Sequence, residues 1–339
     1  MKRLKKLFII SLIISIFFLI LVSVFTVGPE TFPILLKLKP TYLLAAIMLH
    51  LGSYFVWGYR IKVMAKALGY HIGIKDAIEA VLSNLFAAAV TPSMAGGEPV
   101  RIHRLIHKGN MPLGDASAVV IGERVLDALL LLISTPVALW LLKGSLISWE
   151  LDVVIVGSEM FVLLTVLIAI IGLMNPAFID RLSSVITRGL HRIGHFERTE
   201  HIIRSIDSEL YNFHNSLWTF LRTGQRGLFF GCIATVVFWV MEFLIIPFIL
   251  LGLNQPPHIL IAFALQIFLT FIMMLPVTPG ASGIAELGGA ALFGIIVPDS
   301  ILGIVVVAWR LITYYPNLII GGLASIRILK NSSLFNEIK

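Results

Sequence analysis

The chain has 339 residues, of which 58% are hydrophobic and 13% charged, and its mean hydropathy is +0.95. Soluble globular domains carry charge on about 25% of their residues, so this composition excludes one and specifies an all-α, polytopic integral membrane protein. The net charge of +7 does not point to nucleic acid, because Lys and Arg flank the apolar runs, and the single Cys232 excludes an intramolecular disulfide.

The first apolar run, Leu7–Val27, follows Lys2, Arg3, Lys5 and Lys6 and is long enough to cross a hydrocarbon core of ~30 Å. Val27-Gly28-Pro29-Glu30 is a poor cleavage site, so the run reads as a retained helix with a cytoplasmic N-terminus. Thr41–Tyr59 is the next span, with His50 in its middle and no evident partner for that histidine. Ala77–Val90 is shorter and runs into Thr91-Pro-Ser-Met-Ala-Gly-Gly-Glu98. Leu113–Leu142 and Leu151–Met174 follow as spans, the former carrying Glu123, Arg124 and Asp127 at spacings that place them on one side of a helix.

Asn175–Arg226 is polar by comparison. Ile203, Ile206, Leu210, Phe213, Leu217 and Phe220 form one apolar seam, and Phe178, Leu182, Val185, Ile186, Leu190 and Ile193 form another. Two amphipathic helices are expected, either on an anionic cytoplasmic leaflet, docked on the protein's own loops, or in an oligomer contact. His191 and His195 stand four residues apart here, but without a third ligand they read as surface histidines, and neither a metal nor a cofactor is expected. Gly227–Leu253, with Glu242 at mid-span, is a further span. Ile259–Val277 runs into Thr278-Pro-Gly-Ala-Ser-Gly-Ile-Ala-Glu286, and after the short run Leu287–Val297 the last span is Ile301–Ile326.

The two Thr-Pro motifs repeat each other. Arg124 lies 33 residues after Thr91, and Arg310 lies 32 after Thr278. Paired, Gly/Pro-interrupted segments point to re-entrant or broken hairpins around a midplane binding site. With both motifs re-entrant there are about six full spans. Segments 1–6, 60–76, 101–108, 175–226 and 327–339 then carry 21 Lys and Arg, against 3 on the other face, leaving Arg124 and Arg310 within the membrane. The two hairpins then enter from opposite faces. The domain reading is one membrane unit: repeat half one at about 1–174, a cytoplasmic linker at 175–226, and half two at 227–330.

The chemistry expected of such a site is anion recognition. Helix N-termini exposed at the breaks favour anions, and the Arg124 and Arg310 guanidinium forks suit a phosphate. Thr91, Gly96 and Gly97 in one motif and Thr278, Gly280 and Gly283 in the other let backbone approach a ligand. Glu98 and Glu286 would take a cationic group or pair with an arginine, and Tyr314 sits one turn after Arg310. The alternative is that Glu98 or Asp127 with Arg124, and Glu286 with Arg310, are ion pairs that only fix helix positions.

At these residues the chain resembles the membrane domain of the lysylphosphatidylglycerol synthase/flippase family, which includes the flippase half of MprF and many stand-alone proteins. Thr91-Pro92, Gly96-Gly97-Glu98 and Arg101 resemble its first motif, and Glu123-Arg124 with Asp127 its following helix. Pro279-Gly280, Gly283 and Glu286 resemble its second motif, with Ala281-Ser282 in place of a more glycine-rich form. The resemblance implies movement of polar lipids between leaflets in the cell membrane, with both termini cytoplasmic, membrane lipids as partners, and Arg124 and Arg310 as headgroup anchors. The family's aminoacyl-transferase members add a soluble domain after the membrane region, and this sequence stops at Lys339, so no enzyme activity is expected. A transporter of a small anionic solute, and an integral enzyme acting on lipid-linked sugars or phosphates, stay open beside the flippase.

Overall fold

The computed structural model describes residues 2–26, 31–91, 96–142, 197–274, 278 and 280–331, with isolated helical positions between 156 and 167. The expected span Leu151–Met174, the seam 178–193, and His191 and His195 lie largely or wholly outside the described residues. Every described element is helical: α1 (Lys2–Thr26), α2 (Thr31–Leu36), α3 (Pro40–Ala67), α4 (Ile74–Val90), α5 (Gly97–Gly109), α6 (Leu113–Leu141), α7 (Glu197–Arg222), α8 (Gln225–Gly252), α9 (Ile259–Met274), α10 (Ile284–Phe293), α11 (Asp299–Thr313) and α12 (Tyr315–Asn331). Among the described residues, Pro40–Ala67, Gln225–Gly252 and Asp299–Arg327 are long and apolar enough to cross a membrane. The protein is an all-α polytopic membrane protein.

The two longest helices form the axis. α3 and α8 are antiparallel, since Leu43 packs by Gly252, Gly52 by Met241, and Ala67 by Gly227. Glycines on α8 and at Gly52 bring the backbones close, which is how helices gain contact where lipid supplies no hydrophobic drive. Lys39 N–H donates to the Gly252 carbonyl at 2.8 Å and locks one end of the pair.

Around this axis α3–α4–α5–α6, from the first half of the chain, interlock with α8–α9–α10–α11/α12 from the second. α4 packs on α12, and α9 packs on α6, so the second helix of each half lies on the last helix of the other. α4 and α5 double back on each other. Gly97 lies by Asn84, Arg104 by Glu79, and Gly109 by Ile72, so both open ends of this hairpin face the same way. At 17 and 13 residues, α4 and α5 span only about 25 and 20 Å.

Two prolines inside helices illustrate how freed backbone groups are re-satisfied. Pro247 in α8 has no N–H to offer the Phe243 carbonyl, and Gln266 of α9 donates to that carbonyl instead at 2.7 Å. Pro92 forces its predecessor out of helix: Thr91 is extended (φ −116°, ψ 150°) and ends α4.

Two expectations need correction and two are narrowed. α3 runs on to Ala67, so Arg60 lies within that helix rather than in the segment after it, and it is fully buried, as is Arg101. The last span is two helices that meet at Tyr314 (φ −101°, ψ −49°), two residues before Pro316. His50 has partners, described below. The seam of α7 faces the protein: Phe213, Leu217 and Phe220 pack into the core formed by α3–α6. The Glu209 carboxylate accepts from Gly114 N–H at 2.6 Å, and Ser216 donates to Asp115. Tyr70, in the α3–α4 turn, donates to the same Asp115 at 2.6 Å. That bond pushes the Tyr70 hydroxyl up to about 12, because ionising it would cost the hydrogen bond and set two negative charges side by side.

Candidate functional site

Each Thr-Pro motif is a helix break, and the two breaks touch. Gly280 N–H donates to the Thr91 carbonyl at 3.1 Å, joining the first motif to the second through backbone alone. Gly280 (φ +59°) admits no side chain here, since a Cβ would collide with the Ala89 carbonyl oxygen. The Tyr314 hydroxyl donates to that same oxygen at 3.3 Å and accepts from Ser282 at 3.4 Å. Within the first motif the Thr91 hydroxyl donates to the Ala87 carbonyl and accepts from Gly96 N–H at 2.9 Å. Gly97 and Gly283 (φ +88°) sit where a Cβ would meet Asn84 Oδ1 at 2.6 Å and the Phe18 ring at 2.7 Å. The space beside these glycines is thus taken by the protein's own atoms, and Thr278 Oγ1 is buried with no hydrogen bond.

Both motif glutamates pair with the arginine that follows them. Arg124 Nε donates to Glu98 Oε1 at 2.9 Å, and Arg310 Nε donates to Glu286 Oε1, also at 2.9 Å. Each glutamate sits in the first turn of the helix that restarts after the break, where the helix dipole favours an anion. Glu286 also accepts from Gly283 N–H at 2.6 Å and from the Ser15 hydroxyl at 2.7 Å. The Arg310 guanidinium lies 4.0 Å from the Tyr314 ring, and its Nη2 is buried without a hydrogen-bond partner.

The first half adds a second layer of charge. Arg60 donates from Nε to Glu123 at 2.8 Å, from Nη1 to Asp127 Oδ1 at 2.6 Å and to Thr235 at 3.0 Å. Asp127 also accepts from Trp239 Nε1 at 3.0 Å and from Arg124 at 3.4 Å. Arg101 Nη1 lies 3.2 Å from Glu123 Oε2, yet its angles do not make a hydrogen bond, and all three of its guanidinium nitrogens are buried without one. The Trp57 ring stands between the three cations, at 5.7 Å from Arg60, 5.2 Å from Arg101 and 5.4 Å from Arg124. Three arginines balance Glu98, Glu123 and Asp127, so the layer is neutral as a whole.

These groups border one cavity of about 550 Å³. Arg124, Glu98, Arg310 and Tyr314 line it, whereas Arg101, Glu123, Asp127 and Glu286 stand behind them. Most of the remaining wall is apolar or aromatic, including Trp57, Phe238, Phe243, Leu269, Met273 and Met274. A further polar group lines the cavity from α3 and α8: His50 Nδ1 is 3.0 Å from Glu242 Oε1, and Ser53 donates to the same oxygen at 2.6 Å.

Sequence reasoning missed Arg60, Trp57, Tyr54 and Asn317. Arg60 follows an apolar run directly and precedes Lys62 and Lys66, so it reads as the start of a basic loop. Its helical spacing from Trp57, one turn earlier, is the signal that would have found it.

The family model described as lysylphosphatidylglycerol synthase TM region matches residues 8–321. A UPF0104 membrane protein of Archaeoglobus fulgidus is 28% identical over 331 residues, covering 97% of this chain and 99% of that one. UPF0104 membrane proteins of Methanocaldococcus jannaschii and Pyrococcus horikoshii are each 24% identical, over 322 residues (94% of both chains) and 336 residues (93% and 95%). With that match spanning both motifs and both arginines, the chain belongs to the lysylphosphatidylglycerol synthase TM region family.

Proposed function

We propose that this protein moves a phosphate-bearing polar lipid, or a lipid-linked intermediate, between the leaflets of the cell membrane, and that it does so without catalysing a covalent step. The observation that carries the reading is the placement of Arg124 and Arg310. They belong to opposite halves, each is held by its own motif glutamate, and both line one cavity. A phosphate entering there can accept bidentate hydrogen bonds from the open Arg124 fork as Glu98 is released, and from the sealed Arg310 fork once the residues covering its pair with Glu286 move.

Family membership associates the chain with membrane lipids. The apolar wall favours an amphiphile over a free anion, because burying a fully hydrated solute against Leu269, Met273 and Met274 gains nothing. The α4–α5 hairpin supports a re-entrant first motif, and the antiparallel pairing of α3 with α8 supports an inverted repeat. The bias of basic residues outside the buried clusters supports cytoplasmic termini.

The test uses proteoliposomes containing fluorescently labelled phosphatidylglycerol, with a membrane-impermeant quencher reporting how fast inner-leaflet label reaches the outside. Wild-type protein accelerates this exchange, and Arg124→Ala and Arg310→Ala each slow it at least about tenfold, the loss of one charge-assisted interaction of about 1.5–3 kcal/mol. Equal rates in all three proteins overturn the assigned anchors. Uptake of radiolabelled phosphate without lipid exchange overturns the lipid in favour of a small anion.

A further inference from the structure

The carboxylates of the cavity and its surroundings differ in one respect. Glu98, Glu123, Asp127 and Glu286 each have an arginine partner, and arginine keeps its proton at any physiological pH. Among the described residues, Glu242 is the carboxylate whose ionic partner is a histidine. Its side chain is 17% exposed, to the cavity, and His50 is buried behind it. The pair lies near the middle of the antiparallel α3–α8 axis, flanked by the Leu43–Gly252 and Ala67–Gly227 contacts at either end.

The hydrogens available along these bonds limit what the pair can do. His50 Nδ1 faces Glu242, and His50 Nε2 is 2.9 Å from the Tyr54 hydroxyl. The Tyr54 hydroxyl in turn donates to Asn317 Oδ1 on α12 at 2.6 Å. The Asn317 amide is held in that orientation because its Nδ2 donates to the Thr313 carbonyl. Tyr54 has one hydroxyl hydrogen. If Nε2 carries a proton, Nε2–H donates to the Tyr54 oxygen, and Tyr54 donates to Asn317. Every bond is then made. This requires one proton between Nδ1 and Glu242, either as imidazolium and carboxylate or as neutral imidazole and carboxylic acid. With that proton removed, Nδ1–H donates to the carboxylate, and Nε2 becomes an acceptor. Tyr54 must then serve either Nε2 or Asn317, and one link opens.

We propose that His50 and Glu242 share one exchangeable proton, and that its release breaks the Tyr54–Asn317 link between the two halves of the protein. The link runs from α3 of the first half to α12 of the second, so protonation closes a latch across the cavity. The proton passes between the pair and water in the cavity, with no other reactant. Other ionisable groups face the same space: Tyr54 from α3, Arg124 and Glu98 from α6 and α5, and Arg310 and Tyr314 from α11 and its junction with α12. α9 contributes only Gln266 and Thr270 among its polar lining residues. The two arginines are held by Glu98 and Glu286, which leaves His50 and Glu242 as the cavity's histidine–carboxylate pair, the one whose cationic partner is not an arginine.

The inference rests on the cavity being a transport site, but its test needs no substrate. Infrared difference spectra of the purified full-length protein, recorded between pH ~5 and ~8, should show one coupled imidazole–carboxyl transition. His50→Gln and Glu242→Gln should each abolish it. Hydrogen exchange across α12, corrected for base catalysis, should rise several-fold with pH through the same transition in wild type. In Tyr54→Phe the transition persists while α12 exchange is fast at every pH. A transition unchanged by Glu242→Gln overturns the shared proton, and α12 exchange in Tyr54→Phe that still follows pH as in wild type overturns the latch. Should Glu242→Gln fail to fold, Ser53→Ala, which removes one donor to Glu242, must shift the midpoint. Both readouts intact in a protein that moves no lipid would overturn the lipid reading and leave the latch standing.

Discussion

The Arg124–Glu98 and Arg310–Glu286 pairs have the same atoms in contact at the same 2.9 Å, yet their surroundings differ sharply. The first is open, with side chains 40% and 29% exposed, and the second is sealed, at 2% and 0%. In the first half, Arg60, Arg101, Glu123 and Asp127 form a sealed layer behind the open pair, whereas in the second half the motif pair is itself the sealed element. A repeat in sequence has therefore become a division of labour in space. One pair can exchange partners with a ligand at small cost. The other can do so only after Phe18, Ser15 and Tyr314 move away from it.

The comparison can be broken most severely at Asp127. Asp127→Ala removes one partner of Arg60, Arg124 and Trp239 together and leaves the layer with one uncompensated positive charge, Arg60 keeping only Glu123 and Thr235, so a loss of about 3–5 kcal/mol in stability is expected. Thermal unfolding in detergent would show it, and an unchanged midpoint would mean that the layer contributes nothing. Glu286→Gln and Glu98→Gln sharpen the contrast. The first leaves buried Arg310 uncompensated and should approach the Asp127 effect, whereas solvent in the cavity screens the second pair, leaving about 0–1 kcal/mol. Equal losses in the two variants would refute the distinction between open and sealed.

The smallest effect lies away from both pairs. Since the Tyr70 hydroxyl is raised in the folded protein, its bond to Asp115 is fully present below pH ~10, and it is lost as pH climbs through about 12. Tyr70→Phe should remove that alkaline loosening of the start of α6, read by hydrogen exchange, while sparing both arginine pairs.

Helix breaks, repeat spacing and motif-to-arginine pairing were legible because each is a local pattern: Thr-Pro, small residues, a carboxylate, then an arginine about 24–26 residues past that carboxylate. His50 was not legible, since Glu242 lies 192 residues away in sequence and no local period announces it. The seam of α7 shows a different limit. An apolar stripe on a helix states that something covers it, and the same spacing serves lipid or protein. Here the cover is α6 and its neighbours, specified by Glu209 and Ser216 reaching Gly114 and Asp115. The motif glycines suggest room for a ligand beside the backbone, whereas Asn84, the Ala89 carbonyl and Phe18 stand beside Gly97, Gly280 and Gly283, contacts that no local pattern announces.

The bond between the two motif loops has a consequence for any substitution scan. Its acceptor is a main-chain carbonyl that every amino acid supplies, so replacing Thr91 leaves that half of the contact in place. Its donor belongs to Gly280, where φ is positive and the Ala89 carbonyl blocks a side chain. Substitution at Thr91 should therefore cost its hydroxyl's bonds to Ala87 and Gly96 but spare the crossing of the two loops, whereas substitution at Gly280 should break the crossing itself, although both residues contribute equally to that single hydrogen bond.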